Sequence, residues 1–533
     1  SVRVSMSHVY NRGQYPNQDL NKFNFTVGGE LKYKKFSMTA SAAYNKHHAS
    51  NYHGKGYAGS YIYNLVIWGS PQYDVREFRN YWVAGKEHEQ QNWFEAAWYN
   101  NPYFAAYEII DQLSYDYMNA TFTANYEITP WLKAVLRAGG DAKTKRDEWR
   151  NPMSAATGAW GKTGKYGVIR EYTGSINADA MLMADKRWGK FRTEALFGGN
   201  LYYYTYDYMS SETSGGLSMP GFYSLNASID PIKASSSVKR QQINSLYGKA
   251  TFSWDDTYFV DVTGRNDWSS TMDPLHKSYF YPSVAGSVIL SEIIPMPQWW
   301  DFLKARGSWT MTKLPAGIYE INNAYSIQKD VWSGNKGATY PSTLKGGSVL
   351  PETSQTLEVG LATKFFKNRL FFDAAYYQKK EYDFIQNAGV SPSTGFSSVQ
   401  INSKETRLRR GLEFVIGGRP VETKDFTWDI TTNWAHDNYT YGTIDPDYSD
   451  KRSWVYEGAD YDWIQAWDWQ RDHEGNLVIA KNGLPVWMPV QTKMGKDTPD
   501  LIFGISNTFR YKNWSLSFSF DGRIGGLMWA KTY

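Results

Sequence analysis

The chain has no cysteine in 533 residues. That excludes both a disulfide framework and a thiolate metal site. It also lacks a charge excess: 57 Lys and Arg face 53 Asp and Glu, for a net +4. So even a balance is no footprint for nucleic acid. No run approaches the ~18 apolar residues a membrane helix needs, and the mean hydropathy is −0.56. The 8 histidines are scattered and none forms an H-E-x-x-H pair. GKTGK at Gly161 resembles half a phosphate loop, but the first glycine of the full motif falls at Ala156 and no strand-to-helix pattern follows. A secretory leader is missing too. Ser1 opens SVRVSMSHVY, which already alternates like a strand, and GGLMWAKTY stops just past another. The chain therefore reads as an internal part of a longer protein.

What it has in plenty is aromatic: 23 Trp, 41 Tyr and 26 Phe, 17% of all residues. A soluble protein does not need so many. A membrane β-barrel does, because Trp and Tyr form girdles at both interfaces, and its average stays hydrophilic because only alternate residues meet lipid. The pattern agrees. In MNATFTANYEI, Met118, Ala120, Phe122, Ala124, Tyr126 and Ile128 share one face, opposite Asn119, Thr121, Thr123 and Asn125. Leu132, Ala134, Leu136 and Ala138 continue after a short turn. Leu246, Gly248, Ala250, Phe252 and Trp254 oppose Tyr247, Lys249, Thr251 and Ser253, and Tyr258, Val260 and Val262 oppose Asp261, Thr263 and Arg265. Near the end, Trp514, Leu516, Phe518 and Phe520 oppose Ser515, Ser517, Ser519 and Asp521.

About seventeen strands emerge on this rule. Their connections alternate in length. Short turns fall near Lys34, Thr129, Trp188, Asp255, Asn368, Thr423 and Lys512. Long loops are expected at 45–116, 141–172, 205–242, 314–353, 383–406 and 439–499, with a shorter one at 266–280. Short turns at one end and long loops at the other mark an outer-membrane barrel. Lipid offers no hydrogen-bond partner, so strands must pair into a closed cylinder and long loops must hang in water. A soluble propeller would also show many strands. It would not show one consistently apolar face, nor sort its loops by length. The fold class is therefore all-β, a transmembrane antiparallel barrel with long extracellular loops.

Few residues suggest chemistry. His47–His48 lies at a strand end and reads as solvated loop. Asp445, Asp447 and Asp450 in DPDYSD could hold a hard cation, but the EF-hand glycine and terminal glutamate are missing. The loop aromatics carry more weight. Trp454, Trp463, Trp467 and Trp469 crowd one loop, and Trp82, Trp93, Trp98 and Tyr103 another. Flat rings beside Asp, Asn, Gln and Arg suit sugar rings, and suit peptides nearly as well. They equally suit loop packing or a partner protein. Trp463, Trp467 and Trp469 are the candidate substrate-binding residues. No catalytic residue, metal or cofactor is expected.

GRNDWSST at Gly264, followed by SYFYPSVAGSVILSE, resembles the SusC/RagA family of TonB-dependent outer-membrane transporters. So do the NNPYFAAYEII segment with its hairpin, the PETSQTLEVGLATKFF hairpin, GFSSVQINSKETRLRRGLEFVIGG, and GNLVIAKNGLPV with the late strands TPDLIFGISNTFRYKNWSLSFSFDGRIGG. These segments span nearly the whole chain in family order. One departure is SWTMTKLPAG, where the family often has a Val-Gly-Asn run. The resemblance implies a barrel of about 22 strands in the full protein. Residues 1–533 would be part of it, with the plug, the TonB box and the last strands outside. It further implies import of an oligosaccharide or peptide nutrient across the outer membrane of a Bacteroidota-type Gram-negative bacterium. TonB would supply proton-gradient energy through the plug. A SusD-like surface lipoprotein would close over the long loops, and a dimer of transporter–lipoprotein pairs is possible on the same ground. Other partners implied are membrane lipid and lipopolysaccharide, and not nucleic acid. The rival readings are a barrel adhesin and a barrel enzyme. An enzyme needs a convergent nucleophile and base, which the sequence does not offer.

Overall fold

A computed structural model describes residues 1–14, 16–52, 65–66, 70–94, 99–155, 163–345 and 348–529. Seventeen strands belong to one sheet. They are β1 (Val2–Arg12), β2 (Asp19–Tyr33), β3 (Phe36–Ala49), β4 (Ile110–Thr129), β5 (Leu132–Asn151), β6 (Lys165–Trp188), β7 (Phe191–Leu217), β8 (Ser228–Trp254), β9 (Tyr258–Ser269) and β10 (Ser278–Ile289). Then come β11 (Trp300–Leu314), β12 (Glu352–Phe365), β13 (Leu370–Tyr382), β14 (Thr406–Glu422), β15 (Phe426–Thr443), β16 (Leu501–Tyr511) and β17 (Trp514–Ile524). Short strands in the loops form separate small sheets. The chain divides into two compact units, Ser1–Leu182 with Gly198–Asn244, and Met183–Phe197 with Ser245–Tyr533.

The short turns fall where the alternation placed them. Two-residue hairpins need left-handed backbone to match strand twist, and Lys34, Gly189 and Lys512 supply it at φ 51°, 60° and 51°.

In the first unit, β1 to β5 pair antiparallel in chain order. The register aligns Val4 with Val27, Val27 with Ala42, Ala42 with Ala120, and Ala120 with Gly140. One face is therefore an apolar band of small and aliphatic side chains with exposed Met6, Phe25, Tyr44 and Met118. The other carries Ser5, Thr26, Ser41 and Thr121, where Ser41 and Thr121 hydroxyls bond at 2.7 Å. A one-residue slip would reverse every side chain, so the band itself fixes the register.

In the second unit, β9 to β17 pair in the same manner. Val260, Gly286, Gly307, Val359, Tyr376 and Leu412 form one row of the apolar face. Trp434, Phe503 and Phe520 belong to the same face. One polar residue of this face, Asn507, pairs with Phe518 and accepts from Trp428 Nε1 at 3.1 Å, so its amide is not bare. Aromatics collect at the short-turn end. Trp299 stacks on Phe365 at 5.9 Å, Phe191 on Phe252 at 6.2 Å and Trp428 on Phe509 at 5.7 Å. Trp188, Trp254, Tyr511 and Trp514 are exposed beside them. An exposed apolar band bounded by indoles and phenols is stable against lipid and costly against water.

Three loop expectations are corrected. Residues 141–172 are mostly strand, since β5 runs to Asn151 and β6 starts at Lys165. Residues 205–242 are mostly β7 and β8, each 27 residues long. The loop expected at 266–280 shrinks to 270–277. Only ~9–11 residues are needed to cross a bilayer, so these strands continue as paired ribbons beyond it. There both faces are wet, and the apolar contrast that reveals a strand disappears.

Candidate functional site

The polar face of the second unit is an ordered array of ion pairs. Arg306 forms two bonds to Asp373 at 2.9 and 2.8 Å and approaches Glu358 at 3.7 Å. Asp437 accepts from Arg409 at 2.7 Å and from the Tyr377 hydroxyl. The Arg409 guanidinium lies over Tyr377 and Tyr439, at 5.6 and 5.2 Å from their centroids. Arg407 lies over Tyr461 and Phe384, two residues delivered by loops. At the end of β9, buried Asp267 accepts from Arg265 Nε at 2.8 Å and from the Tyr281 hydroxyl at 2.6 Å. The GRNDW and YFYP segments therefore meet in one polar knot. Beneath it Met272 and Tyr279 pack with Ala316 and Val349, tying the 270–277 loop to the long loop after β11.

The candidate tryptophans separate into different environments. Trp469 stacks on Trp487 at 3.9 Å. Trp463 carries the Lys493 ammonium 3.5 Å from its centroid, in the short ribbon Trp463–Ala466 against Thr492–Lys496. Trp454 lies under Arg452. Trp467 is 54% exposed. In the first unit, Trp93 packs edge-on against Phe78 and Tyr73. Trp82 meets Phe104 at 5.1 Å and donates to Glu108. Tyr103 sits in the short helix Pro102–Tyr107, whose N-cap Asn101 accepts from Tyr103 and Phe104 N–H and donates to the Phe78 and Asn92 carbonyls. That explains Asn-Pro-Tyr: the amide caps, and proline suits the first helical position. Trp98, Ala156 and Gly161 lie outside the described residues. Lys165, the last residue of GKTGK, opens a strand.

Asp445 is buried, and its carboxylate is engaged by the chain itself. Oδ2 accepts from Lys404 N–H at 2.8 Å, and Oδ1 from Asp447 and Tyr448 N–H at 3.0 and 3.2 Å. Its role is therefore to staple the 444–500 loop to the segment before β14, and among the described residues no cluster fit for a metal occurs. Burial alone would raise its pKa, but these N–H donors and Ser403 outweigh it and hold the carboxyl below its usual range. A depressed folded pKa gives stability that is complete above the unfolded value near ~4 and lost as pH falls through the folded one. Asp445→Ala should loosen the loop by about 1–3 kcal/mol at neutral pH, and the difference from wild type should shrink only below pH ~4. Hydrogen exchange of residues 444–500 against pH measures both. Equal protection at neutral pH would refute the staple.

His47 and His48 are not solvated loop. Both lie in β3, where His47 stacks on Tyr115 at 4.4 Å and His48 Nδ1 bonds Ser114 at 2.9 Å. The strand continues because both residues stay paired in the ladder, His47 between Lys22 and Tyr115 and His48 between Asn21 and Ser114, and Lys143 lies over the same Tyr115 at 4.6 Å. The sequence reading also passed over LYYYTYDYM at Leu201. Tyr202, Tyr204, Tyr206 and Tyr208 share one face of β7 with Asn200, whose amide bonds Asp179 and Asn177 on β6. The signal was present as a period-two run of tyrosine.

The family model for the TonB-dependent receptor-like β-barrel matches residues 7–531. TonB-dependent receptor P3 of Formosa agariphila is 24% identical over 80% of this chain and 46% of its own length. TonB-dependent receptor SusC of Bacteroides thetaiotaomicron is 24% identical over 54% of this chain and 32% of its own. The chain thus spans about half the length, or less, of these relatives. Among solved structures, the RagAB peptide transporter superposes with a TM-score of 0.79 at 17% identity, covering 98% of this chain and 60% of that one. With its apolar band, aromatic girdle and charged opposite face, the chain belongs to the TonB-dependent receptor β-barrel family.

Proposed function

We propose that this chain is the larger part of the barrel wall of an outer-membrane nutrient importer of the SusC/RagA kind. The carrying observation is the separation of faces, which runs from β9 to β17 with few polar residues on the apolar side. A lipid-stable band on one side and paired charges on the other describe the wall of a polar conduit. The wall does no bond chemistry in this reading. It shapes the conduit, seats a plug and presents loops to a surface lipoprotein of SusD type, and TonB drives transport through the plug. Oligosaccharide or peptide is the cargo class. Support comes from what the chain is similar to, a SusC receptor and a peptide transporter.

Two measurements test it. Fractionation of cells making the full-length protein should place it in the outer membrane, released by detergent only. Gentle extraction of a tagged form should bring down a stoichiometric lipoprotein. Recovery in the soluble fraction, or repeated purification without a lipoprotein, would count against the reading.

A further inference from the structure

We propose that Tyr202, Tyr204, Tyr206 and Tyr208 form a track that contacts the rings of a neutral oligosaccharide. This rests on the importer reading and specifies its cargo. Alternate residues of a strand share a face, so four phenols line the polar side of β7 over roughly 20 Å at ~3.3 Å per residue. Tyr206 and Tyr208 are 6.4 Å apart with ring planes 19° from parallel. Asn200 fixes the facing through its bonds to β6, and Lys239 lies on the same side, 5.8 Å from the Tyr206 centroid.

Most charges around the track meet an opposite charge, while Lys239 lies over the Tyr206 ring instead. Arg137 meets Asp179 at 3.2 Å, Lys145 meets Asp147 at 2.7 Å and Glu171 at 3.4 Å, and Lys165 meets Glu212 at 2.8 Å. Paired ions present little net field, and the remaining Lys239 ammonium is set against the two carboxylates that share Lys145, so the surface selects only weakly for an anionic or cationic chain. They do retain lone pairs and N–H groups that hydroxyls can meet. Phenol faces are weakly negative and attract the polarised C–H bonds on the apolar face of a pyranose. Rings in series, with mixed donors and acceptors beside them, fit a neutral polyhydroxylated chain better than a peptide, whose own charges and backbone amides need directed partners. Sequential weak contacts also allow passage, since no single contact holds the ligand.

The experiment uses the full-length transporter purified with its partner and an array of neutral plant, algal and animal oligosaccharides, beside a random peptide library. Folded barrel is checked for each variant by heat-modifiable gel mobility. At least one neutral oligosaccharide should be retained. The pair Tyr204→Ser, Tyr206→Ser should weaken it about tenfold or more, and the pair Tyr204→Phe, Tyr206→Phe, which keeps the rings, should stay within about threefold. Three results would overturn the proposal: no oligosaccharide retained, a serine pair that binds like wild type, or a phenylalanine pair that loses as much as the serine pair. Retention of peptides alone would overturn the track and leave the importer reading standing. A soluble protein without a lipoprotein would remove the importer reading by itself.

Discussion

Phe518→Arg should abolish most barrel assembly, and Ser517→Arg, one residue away, should not. Phe518 stands on the apolar face of β17, 39% exposed, against Phe509 at 5.9 Å and Phe520 at 5.5 Å. It lies four positions beyond the girdle residue Trp514, about 13 Å along the strand at ~3.3 Å per residue. The apolar band of such barrels is about 25 Å tall, so this is close to its middle. An arginine facing lipid there costs about 2–4 kcal/mol, and the aromatic contacts are lost as well. Ser517 faces the other way and bonds Thr508 at 3.1 Å across the ladder. An arginine in its place meets water and polar neighbours, at the loss of one exposed hydrogen bond. Heat-modifiable barrel recovered from the outer membrane measures both variants. Normal folding of Phe518→Arg beside failure of Ser517→Arg would invert the lipid-facing assignment for the whole ladder.

The second large effect belongs to Asp267. Removing its carboxylate leaves Arg265 and the Tyr281 hydroxyl without their acceptor in a site that is 6% exposed at the aspartate. Stranding one partner of a fully buried pair costs several kcal/mol. Arg265 keeps part of its side chain in water and a bond to Ser245 at 2.9 Å, so about 2 kcal/mol is expected for Asp267→Ala. Asp255→Asn is the comparison. Its partner Lys190 is exposed at a short turn, asparagine tolerates the left-handed backbone, and the change should stay within about 0.5 kcal/mol. The temperature at which each barrel loses its folded gel mobility gives the order. Equal midpoints for Asp267→Ala and Asp255→Asn would show that the knot contributes no more than a surface pair.

Legibility followed burial contrast. Phe518 and Ser517 were assigned to opposite faces from alternation alone, because one side must be apolar and the other wet. Lys34, Asp255 and Lys512 were legible as turns because short polar breaks interrupt that alternation. Where both faces are wet the signal fails. KTKRDEW in β5 and IKASSSVKR in β8 read as loop, yet they are paired strand. His47–His48 failed for the same reason. Asp445 was legible as a special carboxylate, but its donors come from residues 403–404 and from its own turn. A cluster of aspartates in sequence cannot show that main-chain N–H groups will fill the lone pairs. The loop tryptophans were recognised by type, whereas the difference between exposed Trp467 and stacked Trp469 depends on Trp487, eighteen positions away, and no local pattern carries that.

The pairing of every registered sheet strand with its neighbour in the chain has a consequence in chain entropy. Closing the 444–500 connection between β15 and β16 joins the same kind of hairpin as the two-residue turn between β16 and β17. Loop-closure cost rises by only about 0.6 kcal/mol for each doubling of length. From a two-residue turn to this loop is nearly five doublings, so the added cost is about 3 kcal/mol. That is comparable to one misplaced side chain in the apolar band. Once a loop is this long, however, doubling it again adds only about 0.6 kcal/mol, so insertions and replacements there draw little further on the stability of the wall. What the surface recognises can be exchanged piece by piece while the strands beneath keep the same register.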